Sequence, residues 1–415
     1  MKRLAVLAVM LVAVAPARAE DFAALHARAV AAWEAQDYAA FRTAVAGALE
    51  VRPDYPPMLY NLALAEERLG RAGEALGLLQ RLATMGLVVP ADASTFPGLA
   101  GDPHFERVVA KLADNALPAG QSSTAVTVTG EVGFLPEGLA VDPASGDVFL
   151  GSVRQARILR IGGPDSEVQQ FAGATPERLW GVFGMAVADG LLWVATSAVP
   201  ETPDLPPAVR GRAAVNGYRL DDGELDFHCA WPEPAVFGDL LPEGRGAWVS
   251  DSTGGVYFLE PEGCRWATQV PPGVLVSPQG IAPGGKDELI VADYRGGLFR
   301  VAKAGGAPTR LELPANVTGY GIDGLYRAGD WLIAVQNGLA PHRVLALALS
   351  GDPPAVTGSR ILASALPEFD EPTLGAVAGD HLLLVANAAW YRYGGTDLPP
   401  GGPPVILALP LPVAD

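Results

Sequence analysis

The sequence predicts an all-β six-bladed propeller behind a small α-helical domain. Three observations carry that prediction. Gly and Pro are abundant, 49 and 37 of 415 residues, so turns are frequent. The hydrophobic spacing changes after residue 125, from threes and fours to short β-rich runs between Gly, Pro and Asp turns. The β-rich part then repeats one unit six times, with copies about 40–55 residues apart.

In chain order, Lys2 and Arg3 precede an apolar run over 4–15, and Ala17-Arg18-Ala19 fits a small-x-small cleavage site. This predicts a secretory signal peptide over 1–19, a periplasmic or secreted protein, and no membrane span after cleavage. Residues 20–116 read as helical, with apolar periodicity in 22–33, 38–51, 58–69, 75–85 and 105–112. Leu59, Leu62, Ala63, Gly70, Ala75, Leu79 and Leu82 fall on the packing positions of a repeat of about 34 residues. Thus 22–55 and 56–89 resemble two tetratricopeptide repeats, with a capping helix at 103–114. Such helices either offer a protein partner a groove through 22–114 or pack on their own propeller. Residues 117–125 read as a linker by composition.

The propeller occupies 126–415. Its six inner strands open at Pro136-Glu137-Gly138, Phe183-Gly184, Gly238-Asp239, Gln279-Gly280, Asp323-Gly324 and Thr373-Leu374-Gly375. Blade six runs out of sequence before its outer strand. The run 126–129 precedes blade one without a partner. An N-terminal strand completing the last blade would close the ring and leave no open edge.

Composition limits function. Hydrophobic residues at 49% and charged residues at 18% exclude a disordered chain. A net charge of -17 disfavours nucleic acid and suits a small neutral or cationic ligand, or a divalent metal. Two Cys and five His exclude a disulfide scaffold and a multi-zinc framework. Cys229 and Cys264 could pair in an oxidising compartment. Outer strands of neighbouring blades usually lie too far apart for that, which favours two buried thiols.

In a propeller, the starts of inner strands and the ends of second strands share one rim of the central channel. Here the starts carry Glu137, Phe183, Asp239, Gln279, Asp323 and Thr373. The ends carry Ser152, Thr196, Asp251, Asp293, Gln336 with Asn337, and Asn387. The loops 198–212 and 388–404 open on the same rim, the second with Trp390, Tyr391 and Tyr393, and His342 lies in the matching loop of blade five. These residues, with Asn387, form the expected substrate mouth. Converging carboxylates repel unless a cation lies between them. An oxygen-only donor set of Glu137, Asp239, Gln279, Asp323 and Asn337 suits Ca²⁺. A nearby carboxylate, Asp251 or Asp293, could take a proton from water. The competing reading has these side chains capping turns.

The propeller half resembles the family of senescence marker protein and gluconolactonase. The resemblance rests on Pro136-Glu137-Gly138-Leu139-Ala140-Val141-Asp142, Ser277-Pro278-Gln279-Gly280-Ile281-Ala282, Val291-Ala292-Asp293-Tyr294, Gly321-Ile322-Asp323-Gly324-Leu325 and Asp370-Glu371-Pro372-Thr373-Leu374-Gly375. It implies a lactonase whose divalent metal is held by a Glu, two Asn and an Asp that doubles as base. Glu137 matches the Glu and Asp323 the Asp. Gln279 stands where the family has Asn, and Asp239 near the other Asn. Two functions are therefore expected. One is an exported, metal-dependent hydrolase of lactones or small esters, with Asp323 catalytic. The other is a non-catalytic scaffold that docks partners.

Overall fold

The computed structural model describes residues 21–162, 167–173, 175, 177–395 and 398–412. Residues 1–19, expected from the sequence to be a signal peptide, lie outside them. No described helix is long and apolar enough to cross a membrane.

Five helices come first: α1 (Phe22–Glu34), α2 (Tyr38–Val51), α3 (Pro56–Arg68), α4 (Ala72–Thr84) and α5 (Pro103–Asn115). Asp21, Asp37 and Asp102 cap α1, α2 and α5 by accepting from amides of the first turn, as helix N-termini require. The backbone divides into two compact units, 1–75 and 76–415, so the division falls inside α4. In the first, α1, α2 and α3 bury Leu25, Phe41, Val45, Ala48 and Met58 together. In the second, Asn115 Nδ2 donates to the carbonyls of Ala83 and Leu87, each at 2.9 Å. The buried Arg343 donates to those of Met85 and Gly86. These bonds hold 83–87 to α5 and to blade five, so the compact unit begins well before residue 117.

Six antiparallel sheets follow among the described residues, five of four strands and one, blade five, of five. Their inner and second strands are Pro136–Val141 and Val148–Ser152, Gly181–Ala188 and Leu191–Ser197, Phe237–Glu243 and Gly246–Asp251, Pro278–Pro283 and Glu288–Asp293, Ile322–Ala328 and Trp331–Gln336, and Gly375–Ala378 and His381–Val385. The ring closes as expected: Ser123–Thr127 pairs with Val405–Pro410 as the outer strand of blade six. Ala119–Gly120 pairs with the outer strand of blade five. The stretch read as a linker is therefore largely strand.

Cys229 and Cys264 form a disulfide, which corrects the expectation of two thiols. Cys264 lies in the turn before the outer strand of blade three, not in the strand. That turn brings its Cα within 5.2 Å of Cys229, inside bridging range. The bridge closes a loop across 35 residues, worth about 4 kcal/mol in the chain-entropy account. Cys229→Ser should therefore lower the melting temperature by roughly 10 °C. Equal melting of oxidised wild type and variant would show that the bridge contributes nothing.

Candidate functional site

In blades one to five the inner strand carries the same irregularity. Pro136 faces Ser152 but Leu139 faces Leu150, so Glu137 and Gly138 together oppose one residue. The same slip recurs at Phe183-Gly184, Gly238-Asp239, Gln279-Gly280 and Asp323-Gly324. Such bulges re-aim side chains. In four blades the first bulge residue carries a side chain and the second is Gly. A Cβ on Gly138 would stand 1.9 Å from the carbonyl oxygen of Phe183, and one on Gly280 2.6 Å from that of Asp323. The neighbouring inner strand leaves room for no side chain there. Blade three reverses the order.

The bulge places Glu137 and Asp323 in one electrostatic cluster. Glu137 is 5% exposed, and its Oε2 accepts from Trp390 Nε1 at 2.7 Å. Burial, and then the Asp323 charge, hold its carboxyl well above the usual range. Asp323 Oδ2 accepts from Asn337 Nδ2 at 2.7 Å, and the same nitrogen donates to the Pro372 carbonyl. Burial, opposed by that Asn337 bond and helped by the Glu371 charge, pushes Asp323 up to about 6. Asn337 Oδ1 is buried with no hydrogen-bond partner among the described residues, and a native structure rarely leaves such an atom unpaired.

Two contributors escaped the sequence reading. Glu371, at φ +64°, donates its amide to His342 Nδ1 at 3.3 Å and accepts from the Tyr391 amide at 3.4 Å. Burial raises its carboxyl. Burial and the charges of Asp323, Glu371 and Glu137 raise the Tyr294 phenol, which keeps its proton. Both residues lie within the motifs quoted above, yet only the folded loops bring them to the cluster. His342 is held neutral by burial. Its Nδ1 accepts a bond, so its proton sits on Nε2.

Other expected residues are committed elsewhere. Asp251 Oδ1 accepts from the amides of Val236 and Thr253, and its Oδ2 from Thr253 Oγ1 and Tyr257. Asp293 accepts from the amides of Val276, Ser277 and Arg295. Both latch the chain entering their own blade, so neither is a free base. Asn387 bonds the Pro403 carbonyl and the Val405 amide. Tyr393 accepts from the Gly401 amide, and its ring packs against the core of the first three blades. Gln279 turns its Nε2 to the hydroxyls of Ser252 and Ser277. Asp239 accepts from the amides of Leu240 and Ile281, one step deeper in the channel. Trp390 packs 6.0 Å from the Phe183 ring and covers Glu137. Tyr391, 47% exposed, bonds Asp370 at the rim.

The mouth thus offers Glu137, Asp323, the unpaired Asn337 oxygen and, beside them, Glu371. These hard oxygen donors fit Ca²⁺ in kind. Among the described residues no three His, Cys, Asp or Glu side chains gather closely enough to hold a metal by themselves. A cation here would complete its shell with the Asn337 amide, water or ligand oxygen.

No family model and no curated protein matches the sequence. Solved propellers are similar in shape. A proposed oxidoreductase (glucose dehydrogenase) from Thermus thermophilus is 16% identical over 70% of this chain and 100% of that one, with TM-score 0.49. Regucalcin, a calcium-binding protein from Agrobacterium tumefaciens, is 13% identical over 69% and 94%, with TM-score 0.43. A proposed gluconolactonase is 15% identical over 70% and 92%, also with TM-score 0.43. Likenesses this distant carry no argument about chemistry. The propeller itself is established by the strand pairing.

Proposed function

We propose that this chain is an exported hydrolase of lactones or related small esters, working with a divalent cation, Ca²⁺ by its donor chemistry, in the channel mouth. One observation carries the reading: Glu137 and Asp323 are buried beside one another with no cationic partner among the described residues, next to the unpaired Asn337 oxygen. The disulfide and the signal-like segment 1–19 support export.

A bound divalent cation would supply a Lewis acid for the ester carbonyl. The chain's own groups supply the rest. Trp390 pins one oxygen of Glu137 and Asn337 one oxygen of Asp323. Asp323, a carboxylate that a bound cation would hold ionised, is the group in the cluster to take a proton from attacking water. It returns that proton to the ring oxygen as the ester C–O bond breaks. The His342 Nε2–H and the Tyr294 hydroxyl are donors for substrate oxygens. A neutral lactone enters without penalty, whereas the carboxylate it becomes is repelled by the acidic mouth, which favours release.

The test is metal content and turnover of a panel of γ- and δ-lactones by the purified mature chain. Near-stoichiometric Ca²⁺ is expected, with a melting point that falls in EDTA and recovers with Ca²⁺. Asp323→Asn should cut lactone turnover roughly 10²–10⁴-fold. No bound metal and no response to Ca²⁺, or full activity in Asp323→Asn, would overturn the reading.

A further inference from the structure

The reversed bulge of blade three has a second effect. Elsewhere the deeper bulge position is Gly. In blade three it is Asp239, whose carboxylate lies over Gly184 and is only 6% exposed. Below it, at the far end of the channel, is a chamber of about 300 Å³. Val141, Val187, Leu241, Ala282, Ala376 and Val377 are among its walls, and Asp239 is the only carboxylate among its described lining residues. The Tyr326 ring also lines it, and the Tyr326 hydroxyl accepts from the Gly375 amide at 2.7 Å. Arg327 stands at the outer rim, where it bonds the Gly329 carbonyl and lies 3.8 Å from Asp330.

We propose that this chamber is a second ligand site, one that takes a short primary alkylammonium with Asp239 as the anchor of its head group. Each Asp239 oxygen receives one backbone amide and keeps lone pairs for an ammonium. Burial raises Asp239 to about 7, because a carboxylate in apolar surroundings lacks a counter-charge. An ammonium supplies that charge, and its alkyl stem covers the apolar walls. Arg327 at the rim opposes a second positive charge, so a monoamine fits better than a diamine. The anchor is a different carboxylate from those at the mouth, although the Asp323 charge adds to the rise at Asp239.

Isothermal calorimetry on the mature chain, with hexylamine hydrochloride, hexanol and hexanoate, tests the proposal. Hexylammonium should bind roughly 10–100-fold more tightly than hexanol, the gain of one charge-assisted hydrogen bond. Hexanoate should bind most weakly. Asp239→Asn, which keeps an acceptor for the Leu240 amide, should erase the preference for amine over alcohol. Ala376→Trp, at a half-buried wall, should block both ligands and keeps the test decisive if Asp239→Asn misfolds. The proposal fails if hexylammonium does not bind or binds no better than hexanol or hexanoate. It also fails if a folded Asp239→Asn keeps the preference, or if Ala376→Trp leaves binding intact.

Discussion

Glu137→Gln is expected to raise the melting temperature of the metal-stripped chain and to cancel the gain that Ca²⁺ gives the wild type. The glutamine keeps the length of the side chain and an oxygen for the Trp390 indole. It removes a charge that burial and Asp323 both oppose. The pH dependence follows in sign. A carboxyl whose folded pKa lies above its unfolded value binds its proton more tightly when folded. Its contribution is therefore present below the unfolded pKa and is lost as pH rises through the folded one. For Asp323 that window runs from the ordinary 3.8 to about 6, and for Asp239 to about 7; Glu137 shifts in the same direction. Metal-free wild type should thus lose stability as pH rises from 4 towards 7, and Glu137→Gln should flatten that loss. A cation reverses the preference, because it holds the carboxylates ionised. The variant should therefore melt higher than wild type in EDTA at pH 7.5, where the unpaired charge weighs most. Thermal melts from pH 4.5 to 8, in EDTA and in Ca²⁺, decide it. A variant that melts lower than wild type in EDTA, or still gains from Ca²⁺, rules the cluster out as a cation site.

The sequence made the architecture legible because the architecture is periodic. Six inner-strand starts, six second-strand ends and one unpartnered strand at 126–129 suffice to count blades and close the ring. The polar residues at second-strand ends were legible as a pattern but not as a role. Their recurrence in all six blades reflects a backbone latch: Ser152, Thr196, Asp251, Asp293, Gln336 and Asn387 each bond backbone groups of their own blade. A latch is needed in every blade, whereas a ligand is needed in one place, so repetition itself argues for structure. The residues that break the repeat say more. Glu137 and Asp323 put charge where blade two has Phe183. Asn337 follows the latch residue Gln336 and donates to Asp323 instead. Glu371 and Tyr294 stayed hidden because their proximity depends on how the turns after the second strands of blades four and five, and the loop before blade six, fold at the mouth. The Cys229–Cys264 bridge stayed hidden for a similar reason: a turn, not a strand, carries Cys264. Asp239 was misplaced by one residue of bulge order, which sequence alignment by motif treats as equivalent and the backbone does not.

Gly138→Ala is expected to cost the propeller more than any exchange in its mouth. The added methyl would stand 1.9 Å from the Phe183 carbonyl oxygen and 3.0 Å from its carbonyl carbon. These are backbone atoms of the next inner strand, fixed by the pairing of Gly181–Ala188 with Leu191–Ser197. No rotamer change relieves the overlap, so the two blades must part near the axis. Overpacking of flexible side chains typically costs about 1–3 kcal/mol, and a clash of rigid backbones falls at or above the top of that range. A fall in melting temperature of roughly 10 °C follows. Because blade two would move relative to Glu137 and Trp390, Ca²⁺ should also stabilise the variant less than it stabilises the wild type. Gly77→Ala is the matched control: it lies inside α4, a methyl there meets nothing within 4 Å, and alanine should be neutral or slightly stabilising. Unchanged melting of Gly138→Ala would mean that the inner strands are not held this close, and would remove the reason for Gly at the deeper bulge position. It would equally remove the reason why Asp239, the one departure from that pattern, must lie deeper in the channel than Glu137 and Asp323.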